Sequence, residues 1–167
     1  MGQWSLKDRL QPSLLDRLTD LQPDKKRESS AQQALSQRQF KDAVIRDLGW
    51  LLNSVSMDSV VDLSAFPQVK DSVLNYGLPD LSGHTASSVD IASLEKSLLH
   101  AIQLYEPRII QNTLKVTIHS NPDEMNHNSL VFEIEGVVFG QPMPFSVVLR
   151  SELDLECGEF SVRELAG

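Results

Sequence analysis

The sequence predicts an α+β fold: N-terminal helices packed on one face of a C-terminal four-stranded, mainly antiparallel sheet. Three observations carry this. Apolar residues recur at helical spacing in two long segments before Pro107, and the period falls to two after Thr113. From there apolar and polar residues alternate cleanly, which gives the sheet one buried and one wet face and favours antiparallel pairing. The chain divides into a docking helix over residues 1–21, a linker over 22–34 and an α+β domain over 35–167.

Pro12 to Leu21 reads as a short helix, with Pro12 at the first helical position and Leu14, Leu15, Leu18 and Leu21 on one face. The following QPDKKRESSAQQ is polar, Pro-interrupted and aperiodic, hence a linker. A two-turn apolar helix on such a tether is too short to hold itself in water, so it docks on its own domain or on a partner. Leu35 to Val55 is the clearest helix, its stripe formed by Phe40, Val44, Leu48, Leu51 and Val55. Leu52 and Trp50 widen that surface, and Arg38, Asp42 and Arg46 have ion-pair spacing on another face. Val60 to Ala86 has no sustained period, and Asn75 to Asp80 is turn chemistry. A second helix carries Ile91, Leu94, Leu98, Ile102 and Tyr105. Ser87 and Asp90 have capping-box spacing before it, and Pro107 ends it.

The strands follow. Leu114, Val116 and Ile118 form the first; Leu130, Phe132 and Ile134 the second, with Gly136 marking a bulge. Phe145, Val147, Leu149, Leu153 and Leu155 face inward on the third, with Ser151 the one polar lapse. Cys157-Gly158 reads as a two-residue hairpin turn into a last strand begun by Phe160 and Val162.

Composition narrows the function. The 167 residues are 41% apolar, too high for a disordered chain, and one cysteine, Cys157, excludes a disulfide scaffold. No apolar run approaches the roughly 20 residues that span a bilayer, and the charged MGQWSLKDRLQ start is unlike a signal peptide, so a cytoplasmic protein without membrane insertion is expected. The net charge of −8 repels phosphate backbones, and Lys25-Lys26-Arg27 sits between Asp24 and Glu28, so no nucleic-acid partner is expected. The four histidines lack metal-ligand spacing, and there is no Walker loop, no G-x-G-x-x-G and no G-x-S-x-G elbow: no metal, no cofactor and no nucleophile are expected. Glu133 with Glu135, and Glu152 with Asp154, are carboxylate pairs, but on one wet strand face and not in a cleft that would keep one acid neutral. The chain reads as a non-enzyme.

Several segments together resemble a known family. Pro12-Ser13-Leu14-Leu15-Asp16-Arg17-Leu18, Asp47 to Asn53 and Ser72 to Asp80 resemble motifs of TssE, the type VI secretion baseplate subunits. Glu106-Pro107-Arg108 is similar to the tripeptide of the wider phage baseplate-wedge, or lysozyme-related, family, and Arg150 to Glu156 resembles its late strand. Gly49 stands where an acidic residue is common in the family and weakens the helix by about 1 kcal/mol. The resemblance makes 35–167 a baseplate-wedge-like domain. It implies a phage tail-like structural protein in a cytoplasmic baseplate docked at the inner-membrane complex. Its implied partners are the wedge proteins TssF, TssG and TssK and the sheath proteins TssB and TssC, whose polymerisation it would start. A regulatory module of the anti-adaptor type shares this domain and is the alternative, with peptidoglycan hydrolysis a more distant one.

The residues suggest how partners are held. An open sheet edge can template a neighbour's strand. The acidic wet face, with Glu152 and Asp154, selects a basic surface. Leu14, Leu15 and Leu18 form an anchor, and Glu106, Pro107 and Arg108 a rigid junction whose Arg fork recognises carboxylates.

Overall fold

The computed structural model describes residues 12–19, 35–85, 88–119, 129–140 and 144–165. The expected linker over 22–34 lies outside them, as do the ends of the 1–21 segment.

Helix α1 spans Leu14–Leu18. It is shorter than its leucine spacing predicts. Ser13 is the N-cap, accepting the Asp16 N–H, and Pro12 precedes the cap and is not the first helical residue. Thr19 is extended and its hydroxyl donates to the Leu15 carbonyl, closing the helix after one and a half turns. Helix α2 spans Gln37–Leu52 and starts on a capping box: the Ser36 side chain accepts from Gln39 N–H while the Gln39 side chain accepts from Ser36 N–H. Asn53 ends it, so Val55 leaves the predicted stripe. It is exposed and bridges in parallel to Leu78.

Residues 53–85 form short turns, among them helix α3 (Pro67–Lys70). Gly77 adopts a φ of 128°, and a Cβ there would collide with the Ser54 carbonyl, so the predicted Asn75–Asp80 turn admits only glycine at this point. Helix α4 spans Ile91–Tyr105 with Asp90 as its cap, accepting from Ala92 and Ser93 N–H. The capping role predicted for Ser87 thus falls to Asp90, and Ser87 lies outside the described residues.

Four strands make an antiparallel meander in the order β1-β2-β3-β4: Lys115–His119, Ser129–Val138, Phe145–Asp154 and Glu159–Glu164. Helix α4 packs on β1, α2 on β4, and the helices on each other. Both helices therefore bury their stripes on one sheet face. Val44, Leu48, Leu98 and Ile102 meet Leu130, Phe132, Ile134, Leu149 and Leu153 there, all with almost no exposure.

Two expectations about the sheet are corrected. Gly136 is no bulge: the β2–β3 register runs straight through it opposite Val147. Its missing side chain makes room for the Ile109 side chain, 2.9 Å from where a Cβ would sit. The β3–β4 hairpin turns over four residues, Leu155 to Gly158, because Leu155 is buried in the core and Asp154 is the last paired residue. Gly158, at φ 73°, donates to the Asp154 carbonyl to close it.

Candidate functional site

Glu106 is the C-cap of α4, its N–H still bonded to Ile102, and Pro107 prevents further helix. The chain turns so that Arg108 lies over its own neighbour. The Arg108 backbone N–H and Nε donate to Glu106 Oε1 at 3.2 and 2.6 Å, and a terminal nitrogen pairs with Glu106 Oε2. The same nitrogen donates to Asp47 Oδ2 at 2.7 Å. Arg108 and Ile110 then join the far end of β2 through bonds with Phe139 and Val137. The junction is thereby fixed to α2 and to the sheet.

The network continues. Arg46 donates from Nε to Asp47 Oδ1 at 2.9 Å and forks onto Asp16 of α1 at 2.5 and 3.2 Å. The sequence spacing pairs Arg46 with Asp42. Arg46 turns instead to Asp47 and Asp16, where two carboxylates and the Trp50 ring, 4.8 Å from its guanidinium carbon, surround it. Glu106, Arg108, Asp47, Arg46 and Asp16 thus form one chain of ion pairs joining three elements. Three carboxylates against two guanidiniums leave it one negative charge in excess.

Burial decides the role of each member. Glu106 is only 3% exposed, so its carboxylate depends on Arg108. Burial alone would lower the Arg108 pKa, but the Glu106 and Asp47 carboxylates reverse this and raise it. The hydrogen bond from Arg46 holds the Asp16 carboxyl below the usual range. Beside the network lies a hollow of about 430 Å³, lined by Leu15, Trp50, Tyr76, Tyr105 and Pro107 among others. Burial first, and then the charges of Asp47 and Glu106, push the Tyr76 hydroxyl up.

The predicted residues fall into two places. Glu106, Pro107 and Arg108 come together around this hollow with Leu15 of α1. Helix α1 docks through Asp16, and Leu14 and Leu18 face away from the domain, 70% and 74% exposed. Glu152 and Asp154 lie on the wet face at the opposite end of the sheet. Asp154 pairs with the first residue of β2, whereas Ile109 bridges to its last, so the two places are about 30 Å apart along a ten-residue strand. Asp154 also accepts the Glu156 N–H at 2.8 Å and so shapes the hairpin turn.

The two sheet edges differ. Bonding alternates along each ladder, and it leaves Phe160, Val162 and Glu164 with their N–H and C=O groups pointing outward from β4. The Asn53 side chain occupies the first of these positions as a strand would, accepting from Phe160 N–H at 2.8 Å and donating to its carbonyl at 2.9 Å. On β1 the outward groups belong to Val116 and Ile118, and no hydrogen bond reaches them from any described residue. Sequence reading missed Asn53, whose partner lies 107 residues away. It also gave Asp47 no role, although Asp47 stands in one of the family-like motifs.

Among the described residues no helix is long and apolar enough to cross a membrane, and no group of three or more His, Cys, Asp or Glu could hold a metal ion. No curated protein and no solved structure matches the chain. A family model, baseplate wedge protein gp25, matches residues 38–143, from α2 through the Glu106-Pro107-Arg108 junction to the β2–β3 connection, and leaves α1, β3 and β4 outside. With close to two thirds of its length matched, the chain belongs to the baseplate wedge protein gp25 family, a family of structural baseplate components.

Proposed function

We propose that this chain is a TssE-type baseplate subunit of a type VI secretion system, which joins wedge proteins and starts polymerisation of the contractile sheath by strand pairing. Membership of the wedge family supports the structural part, and the TssE-like motif at 12–18 and the wedge-family-like strand at 150–156 extend the likeness beyond the matched segment. The observation that carries the mechanism is the inequality of the two edges. Asn53 occupies part of the β4 edge, so a sheath strand is received at β1, where Val116 and Ile118 offer donors and acceptors in register. The acidic face around Glu152 and Asp154 favours a basic sheath surface.

Wedge partners TssF, TssG and TssK meet the other end. There the leucines of α1, Trp50 and Pro107 form the contact, while Glu106 and Arg108 hold the junction rigid from within. No catalytic step and no cofactor is assigned. The baseplate stands in the cytoplasm against the inner-membrane complex.

Sheath nucleation tests the reading. Purified TssB–TssC seeded with the wild-type protein is expected to polymerise, and Ile118→Pro, which removes one outward N–H from the edge strand, is expected to reduce seeding roughly tenfold with the melting temperature as a folding control. Reversing Glu152 and Asp154 to lysine is a second variant, on exposed positions, expected to slow the same reaction. If both fold and both seed normally, strand pairing at β1 and charge selection fail. The anti-adaptor alternative then gains, and binding to a proteolytic adaptor replaces seeding as the readout.

A further inference from the structure

We infer that residues 57–74 form a second docking surface, built for a partner segment whose apolar face is flanked by lysine or arginine. The surface belongs to the turns between α2 and α4, and the proposal goes beyond the sheath and wedge contacts above. Within it Met57, Val60, Val61, Phe66, Val73 and Leu74 are all exposed, Val60 by 82% and Val73 by 78%. Scattered single apolar residues on a surface need no explanation, but six on one short segment do. The turns that carry them, Met57–Ser59, α3 and Val73–Asn75, pack on one another.

This ledge is rigidly held. The buried Asn75 side chain accepts the Asp58 N–H at 2.8 Å and donates to the Lys70 carbonyl at 2.9 Å, tying the first turn to the end of α3. Tyr105 of α4 donates its hydroxyl to the Ser72 carbonyl at 2.8 Å. Ser54 and Ser56 pair with Leu78 beneath it. Apolar side chains displayed on a fixed backbone bind with little ordering cost, as a preformed docking surface requires.

Charge identifies the occupant. Asp58 and Lys70 face each other at 3.6 Å and cancel. That leaves Asp62, Asp71 and Asp80 around the ledge. Serines fix two of them: Ser64 bonds Asp62 through both N–H and hydroxyl, and Ser82 does the same for Asp80. His100 stands 3.4 Å from Asp71, and Asp80 is joined to the ledge through its N–H on Ser59. An acidic rim repels an anionic lipid surface. It also repels a second copy, because a twofold contact would set the same carboxylates against each other. An apolar stripe with basic flanks satisfies both parts of the surface.

The probe is a leucine-faced helical peptide with lysine flanks, compared with the same peptide carrying glutamate flanks, both titrated into the full chain with amide resonances recorded. The lysine peptide is expected to shift residues 57–74, and the glutamate peptide to bind roughly tenfold more weakly. Val60→Ser with Val73→Ser, both on exposed positions, is expected to cost a similar factor with unchanged melting temperature. Asp62→Asn with Asp71→Asn should flatten the salt dependence. Equal binding of both peptides, or shifts confined to α1, would overturn the proposal. So would concentration-dependent shifts of 57–74 in the free protein, which give the ledge to a second copy. Shielding of these residues from a dissolved paramagnetic agent in the free protein would give it to a segment of the chain itself, and would overturn the proposal equally.

Discussion

Replacing Arg108 by alanine tests whether the junction tripeptide is first of all an internal brace. The Glu106 side chain is 4% exposed and that of Arg108 21%, so the substitution leaves a nearly buried carboxylate facing Asp47 without its cation. Deleting one partner of a buried ion pair costs about 3–5 kcal/mol. Arg108 keeps some contact with water and Asp47 keeps Arg46, which places the loss near the lower end, about 3 kcal/mol. For a domain of this size that lowers the melting temperature by roughly 6–12 °C. The double variant Glu106→Gln/Arg108→Met removes both charges together and is expected to lose less than half as much. Calorimetry and urea denaturation on wild type, Glu106→Gln, Arg108→Met and the double variant close a mutant cycle, with an expected coupling of at least about 1 kcal/mol. A melting temperature for Arg108→Ala within about 2 °C of wild type, or strictly additive losses, would refute internal bracing. The double variant then serves the functional question, because it separates loss of the fold from loss of wedge binding.

Other outcomes follow from single side chains. Gly49 lies inside α2 with nothing within 4 Å of an added Cβ, so Gly49→Ala should raise stability by about 1 kcal/mol, read as a higher urea midpoint. Ser151 is fully buried and its hydroxyl has no hydrogen-bond partner among the described residues. Ser151→Ala removes that cost and should leave the melting temperature equal or raise it by a few degrees, whereas a fall of several degrees would reveal a bond to that hydroxyl. Asp16 has a folded pKa below its ordinary 3.8, so its docking contribution is complete above about pH 5 and fades as the pH falls through the lowered value. Resonances of α1 should therefore shift in acid before the core unfolds, and Asp16→Asn should show that shifted position already at neutral pH.

The architecture was legible because it rests on local periods. The α2 and α4 stripes and the alternation of β2 and β3 report burial directly, and the core contains the residues these patterns single out except Val55 and Ile91, at the ends of their helical stripes. Boundaries were less legible, since they depend on partners that no local pattern specifies. Asn53 ends α2 by bonding Gly49 behind it and Phe160 across the molecule, and only the first of these is local. Gly136 shows the same limit: its period-two neighbours reveal a strand, but the reason for glycine is the Ile109 side chain, brought there by the turn after Pro107. In the candidate site the tripeptide stood out in the sequence. Its counter-charges did not, because Asp47 and Arg46 look like ordinary solvated helix positions until α1 and the junction fold over them.

Helix α1 inverts the usual arrangement of an amphipathic helix, which fits the anchor role proposed for it. None of its five residues is buried, and what attaches it is charge: the Asp16–Arg46 fork, supported by the Ser13 hydroxyl on Asp16. Arg46 is about a third exposed, so this pair is screened and contributes well under 1 kcal/mol. A helix of one and a half turns has no intrinsic stability to add. An attachment so weak is reversible, and it leaves Leu14 and Leu18 presented outward. A partner that buries two of these leucines gains about 3 kcal/mol or more, several times the strength of the internal pair. The energetic order therefore favours α1 as a guide that charge holds beside the junction until a hydrophobic partner takes it. Raised salt should loosen α1 in the free protein while leaving the leucine-mediated complex intact, and a complex that dissociates with the Debye screening of the Asp16–Arg46 pair would contradict that order.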